Sequence, residues 1–172
     1  NIVLDMNNEF NLISLYNQLS QYSIDSLILL GSTSLKIEAI YGEILDEKFY
    51  AYVAGFEHTF FDIFNSGYNL GLLSEYQFDE RVNNPLIIGQ DDLMIGARLE
   101  INDFSGTEFL FAYVKDLEYG DSYSAYIEGS TRINDSIRVT LNAYIFDSNN
   151  IEDPIYQIRQ DDHIELNIEY FF

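Results

Sequence analysis

Residues 162–172 read DHIELNIEYFF. In an extended chain successive side chains point to opposite faces, so Ile164, Leu166, Ile168, Tyr170 and Phe172 share one face. His163, Glu165, Asn167 and Glu169 share the other. A helix would mix the two sets around its circumference, whereas a strand separates them completely. The segment therefore predicts a β-strand with one apolar and one charged face, and the rest of the chain has to supply partners with the same design.

It does so repeatedly. Period-two alternation predicts strands over Gln21–Leu30, Ser34–Gly42, Phe49–Phe61, Tyr68–Asp79, Asp92–Asn102, Thr107–Asp116, Tyr123–Ile133 and Ser136–Phe146. In Asp92–Asn102, for example, Leu93, Ile95, Ala97, Leu99 and Ile101 oppose Asp92, Arg98, Glu100 and Asn102. Short turns are expected at Gly31–Thr33, Asn65–Gly67, Asp103–Gly106 and Asn134–Ser136, all at one end of an up-and-down sheet. The connections at Glu43, Asp79, Leu117 and Asp147 fall at the other end, and Pro85 and Pro154 lie among them, where a missing ladder donor costs nothing. The count with the closing strand is nine. Asn1–Asp5 offers a tenth, and Asn7–Leu19 reads as polar loop with a weak helical period.

Composition narrows the setting. The 172 residues are enough for one domain, and 29 acidic against 8 basic side chains (net −21) remove the clustered Lys and Arg that a nucleic-acid partner requires. At 47% hydrophobic the chain is no disordered polyanion. No apolar run approaches the ~18 residues of a membrane-spanning helix, so any membrane passage rests on strands of about ten residues, the length found here. Cysteine is absent, which removes disulfides, thiol catalysis and thiolate metal sites. The opening NIVLDMNNEF has neither a basic region nor an apolar leader core, so the chain as given reads as mature or as a fragment. Aromatics reach 16% without a single Trp. Phe60, Phe64, Tyr68, Phe104, Phe109, Tyr170 and Phe172 gather at the short-turn end, and Tyr41, Tyr50, Phe78, Tyr113 and Tyr123 at the other, as two interfacial belts would.

The ending on Phe172 resembles the closing strand of bacterial outer-membrane β-barrels, in which a terminal Phe forms part of the signal read by the insertion machinery. The stretches GFEHTFFDIFNSGYNLGLLSEYQFDER, DDLMIGARLEINDFSGTEFLFAYVKDLE and DPIYQIRQDDHIELNIEYFF resemble the C-terminal part of a family of uncharacterised, porin-like proteobacterial outer-membrane proteins. The resemblance runs from about Tyr16 to Phe172 and consists of strand and turn motifs. It implies an all-β, antiparallel, transmembrane up-and-down β-barrel of about ten strands, or a share of a larger one. Residues 1–172 would form a single domain, with 1–20 as strand plus outer loop. It implies no catalytic residues.

On that fold the charged face becomes the lumen: Lys36, Glu38, Glu57, Glu75, Arg98, Glu100, Glu108, Glu128, Arg132, Arg138, Glu165 and Glu169. Phe60, Tyr68, Phe109, Tyr113, Tyr123, Tyr170 and Phe172 become membrane-interface residues. The expected function is porin-like passage of small solutes. The alternative is a plugged structural barrel whose acidic loops meet partners or anchor a complex, since in a narrow barrel Glu and Arg pair across strands and fill the interior. A soluble, lectin-like β-sandwich would instead bury the aromatic belts. Expected partners are outer-membrane lipid, lipopolysaccharide and the insertion machinery, and the expected location is the bacterial outer membrane.

No enzyme is expected. Asp91, Asp92, Asp161, Asp162 and His163 have the residue types of an outer-rim protease, but a DD pair before a strand also reads as a solvated strand entry, and no Ser–His spacing supports an acyl hydrolase. His58 shares a face with Tyr50, Tyr52, Phe56 and Phe60. The acidic loops EILDE, FDER, QDD, DLEYGD and DSNNIED contain oxygen donors but no spaced metal-loop motif, so no metal and no cofactor is expected. Lys115 on the apolar face lies near an outer end and can snorkel.

Overall fold

The computed structural model describes residues 2–4, 10–12, 18–81 and 91–172. Nine long strands carry the fold: β3 (Leu19–Leu30), β4 (Thr33–Ile44), β5 (Glu47–Ile63), β6 (Tyr68–Asp79), β7 (Asp91–Glu100), β8 (Glu108–Asp116), β9 (Tyr123–Asn134), β10 (Ile137–Asp147) and β11 (His163–Tyr170). They form one sheet in the order β11-β10-β9-β8-β7-β6-β5-β4-β3. Every neighbour is consecutive in sequence and antiparallel, for instance Glu128 opposite Asn142 and Asn142 opposite Glu165. All nine strands expected from alternation are present, in the expected up-and-down topology.

Two short strands, β1 (Ile2–Leu4) and β2 (Phe10–Leu12), pair only with each other. Asn1–Asp5 thus contributes a strand but not a tenth member of the large sheet, and Asn7–Leu19, expected as loop, contains β2 and the first residue of β3. Among the described residues the sheet is open: β3 and β11 each have a neighbour on one side only, so the expected closure into a barrel is not made within it. The sheet's two edge strands also run in the same direction, because nine is odd.

Local chemistry explains the element boundaries. Gly31 at φ 63° opens the tight β3–β4 turn. The β4–β5 connection differs from the acidic loop expected there: Ile44 pairs with Glu47, leaving only Leu45 and Asp46, at φ 53° and 65°, as a two-residue hairpin turn. Positive φ at both central residues matches the sheet's twist, which is what lets so short a turn replace a loop. Asn102 (φ 57°) stops β7 at Glu100, two residues before the expected end, and its amide donates to the Gly67 carbonyl at 2.6 Å. The Asp147–Asp161 connection contains a 3-10 turn, η1 (Pro154–Gln157), which Asp153 caps by accepting from the Ile155 N–H. Pro85 lies outside the described residues.

Burial is inverted relative to a water-soluble sheet. Among the described residues the only buried hydrophobic side chain is Phe49, whereas Asp79, Asp92, Asp116, Ser122, Ser130, Asn142, Ser148 and Asp153 are all buried. Phe49 stands on the charged face. A Cβ added to Gly42 would come within 2.5 Å of its ring, so glycine provides the slot, and the Arg81 guanidinium lies over the ring at 3.9 Å.

Candidate functional site

Register assigns the two faces without ambiguity, because directly opposed residues share a side. One row runs Leu30, Thr33, His58, Leu72, Ala97, Phe111, Ile127, Ala143, Ile164 across all nine strands. The rows beside it contain Ile28, Leu35, Phe56 and Ile95, then Phe60, Leu70, Leu99, Phe109, Leu141 and Leu166. This apolar face is exposed, with Leu141 at 52% and Phe109 at 50%. His58 sits on it as expected, its Nδ1 2.7 Å from Thr33 Oγ1 and its ring edge-on to Phe60.

The opposite face receives all twelve charged residues singled out from sequence. Glu38 pairs across to Val53 and Asp25, Lys36 to Gly55, and Glu57 to Ser34 and Leu73; Glu75 faces Met94. Arg98, Glu100 and Glu108 follow on β7 and β8, then Glu128 and Arg132 on β9, Arg138 on β10, and Glu165 and Glu169 on β11. The centre of this face is covered by its own long side chains: Ser130 and Asn142 are 4% and 6% exposed.

Much of this charged face is cross-linked. Arg98 Nη2 bonds Glu108 at 3.1 Å, and its Nε lies 3.5 Å from Glu100; Asn69 donates to Glu100 at 3.2 Å. The Tyr126 hydroxyl bonds Glu128 and lies 3.1 Å from the Asn142 carbonyl oxygen, and Asn142 reaches Glu165. Lys36 pairs with Glu38 at 2.8 Å. Across β9–β11 the Tyr126 and Tyr144 rings meet at a 45° tilt, centroids 5.0 Å apart, and Tyr144 stacks on His163 at 4.6 Å. Arg138 Nε is buried without a protein partner. A recess of about 280 Å³ remains between Lys36, Glu57, Glu75, Leu27 and Met94.

The aromatic residues divide between the two ends of the apolar face. At the end that carries the β8–β9 connection Tyr50 stacks on Phe78, Tyr52 on Phe78, and Tyr113 on Tyr123, with centroids 5.4–5.6 Å apart. At the other end Phe60 and Phe109 share a row, and Tyr68 and Tyr170 flank the turns. Phe172 follows β11 and is fully exposed. Tyr50 and Phe60 are ten residues apart on β5, about 33 Å along a strand and roughly 25 Å along the normal at a tilt of about 40°.

The rim-protease residues are not brought together. Asp91 on β7 accepts from the Tyr76 hydroxyl at 2.7 Å, while Asp162 takes the Phe146 N–H and His163 lies on β11, four strands away. Among the described residues no three His, Cys, Asp or Glu side chains converge as direct metal ligands. In the turn after β7, the Thr107 N–H and hydroxyl hold Asp103 below the ordinary carboxylate range. In the loop after β8, burial and the Asp116 and Asp91 charges raise Glu118.

Sequence reading missed two features. Phe49 begins the run FYAYVAGF out of phase with Tyr50 and Tyr52, and an apolar residue on the charged parity was the available signal. Asp153, Ser122 and Ser148, the most deeply buried polar side chains, come from loops and strand ends, and nothing in local pattern marks them. Comparison of the chain with protein-family models, curated proteins and solved structures gave no match.

Proposed function

We propose that this chain is an outer-membrane β-barrel protein, or a share of one, of the porin-like kind its sequence resembles. Its apolar face would meet lipid and its charged face would line an aqueous interior that passes small solutes. The observation that carries the reading is the inverted burial, with most of the exposed Leu, Ile, Phe and Tyr on one face, Leu27 and Leu29 of the edge strand β3 being exceptions, and enclosed Asp, Ser and Asn on the other. Contiguous apolar surface on that scale is not left facing water by a monomeric soluble protein. In lipid it is the favourable arrangement, and aromatic rows roughly 25 Å apart match the apolar band of such barrels. Hydrocarbon does not tolerate open sheet edges. Because β3 and β11 run in the same direction, one further strand, or any odd number, seals the sheet with antiparallel pairs throughout.

The cross-linked charged face favours a second reading, a plugged barrel that presents its acidic loops to partners. Arg98, Glu100, Glu108, Tyr126, Glu128, Asn142 and Glu165 bond across strands rather than leaving a clear bore. One sample tests both. The chain refolded in detergent is run unheated and boiled on a gel, then added to a planar bilayer. Faster migration unheated, with stepwise conductance, supports the pore; faster migration without conductance supports the plug. Identical migration, with solubility in plain buffer, refutes both.

A further inference from the structure

The recess of about 280 Å³ in the charged face spans β3 to β7. Leu27, Lys36, Gly55, Glu75 and Met94 lie side by side across these five strands, and Glu57 and Leu73 are paired in the next row towards the short turns. Gly55 is the floor. A Cβ built there would have Lys36 Cβ and Glu75 Oε2 as its nearest neighbours, both at 3.6 Å, so the missing side chain is what opens the space between them. At about 30 Å³ per water the recess holds roughly nine waters, which suits a small solute rather than a drug-sized one.

The lining is chemically divided. Leu27, Leu73 and Met94 contribute apolar surface on a face that is mostly polar, and Leu27 is 59% exposed. Beside them stand Glu57 and Glu75, neither of which has an ion pair among the described residues. Glu75 Oε1 accepts from the Gln77 amide at 3.2 Å, while Oε2 is the oxygen that leans over Gly55. The neighbouring cations are already engaged: Lys36 Nζ lies 2.8 Å from Glu38, and Arg98 is shared by Glu100 and Glu108. An anion would meet two carboxylates here, and a bare metal ion would leave the apolar wall unused.

We propose that this recess binds a small primary alkylammonium solute, with its nitrogen donating to Glu75 Oε2 and Glu57 and its chain lying on Leu27, Leu73 and Met94. An ammonium has three donors and no acceptor, the complement of carboxylates that only accept. Hydrogen bonds between two ionised groups are the stronger kind. Each methylene covered by the apolar wall tightens binding about fourfold. The inference rests on the reading of the charged face as a water-filled interior, and names the class of solute that pauses there.

The test follows the Met94 methyl signal by NMR in the refolded full chain in detergent, labelled at the methionine methyl carbons and assigned by its loss in Met94→Leu. The chain is titrated with butylammonium chloride and, separately, with ammonium chloride and sodium butyrate, at about 0.15 M NaCl to screen diffuse attraction. The expected result is a saturable shift with butylammonium. Ammonium, which has no chain, and butyrate, which has the opposite charge, bind about tenfold more weakly or less. Glu57→Gln and Glu75→Gln each weaken butylammonium about tenfold, and Gly55→Leu fills the recess and abolishes the shift. Glu152→Gln, the same change of charge in an exposed loop, leaves binding as it was. Absence of a saturable shift overturns the proposal, as does butyrate binding as tightly as butylammonium, or both Glu→Gln variants at the recess binding like the parent. Unheated gel migration of the parent and each variant separates lost binding from lost folding. Faster unheated migration of the parent without butylammonium binding overturns this inference alone, whereas identical migration refutes the barrel reading and the inference with it.

Discussion

Leu141→Arg separates a lipid-facing sheet from a water-facing one by energy alone. Leu141 lies in the middle of β10, opposite Gly129 and Leu166, with 52% of its surface open. In water, half the burial of a leucine is worth about 0.8–1.5 kcal/mol, and the arginine stem recovers part of that by lying along the sheet. In a bilayer the guanidinium at mid-depth on the lipid face costs roughly 2–4 kcal/mol, a shift of about 30- to 700-fold in the folding equilibrium. The assay is reversible guanidinium unfolding in phospholipid vesicles, with Ile151→Arg in the outer loop as the matched control. Ile151 is 76% exposed, so its substitution should stay within about 0.5 kcal/mol. A Leu141→Arg cost of 2 kcal/mol or more supports the lipid assignment; about 1 kcal/mol or less, with folding intact, refutes the reasoning.

Other perturbations test separate parts of the structure. Gly42→Ala places a Cβ 2.5 Å from the Phe49 ring and should cost about 1–3 kcal/mol in the same unfolding assay, with Phe49→Leu recovering part of the loss. Arg98→Ala removes the cation shared by Glu100 and Glu108; if the interior conducts, single-channel recordings should show higher cation-over-anion selectivity, and unchanged selectivity would place Arg98 off the conduction path. Asp103 is depressed by its Thr107 hydrogen bonds, so this contribution to stability is present above the unfolded carboxylate pKa of about 3.9 and disappears as pH falls through the lower folded value. A carboxyl carbon NMR titration should accordingly give a midpoint below 3.9 that returns towards it in Thr107→Val.

The nine strands were legible because each has one face rich in Leu, Ile, Val, Phe or Tyr and most have a polar or charged opposite face, a separation that a period-two backbone produces. The same parity placed Lys36, Arg98, Glu128 and the other charged candidates on one face before any coordinates, since a one-residue error in register would have mixed the faces. The Leu45–Asp46 turn was not legible, because Leu has no intrinsic preference for positive φ and only pairing of the flanking strands imposes it. Asp153 was hidden for a related reason: its burial depends on where a loop returns in space. Closure was hidden too, since an edge strand and a paired strand have the same alternation.

The most direct test of the account uses the absence of cysteine from the chain. A single cysteine is placed in turn at each of residues 139–145, spin-labelled, and the refolded protein in vesicles is measured for collision with oxygen and with a water-soluble nickel chelate. The account predicts oxygen access and chelate exclusion at Val139, Leu141, Ala143 and Ile145, and loss of the oxygen signal at Thr140, Asn142 and Tyr144. Chelate access at the first four positions would mean that the apolar face meets water, and would contradict the account.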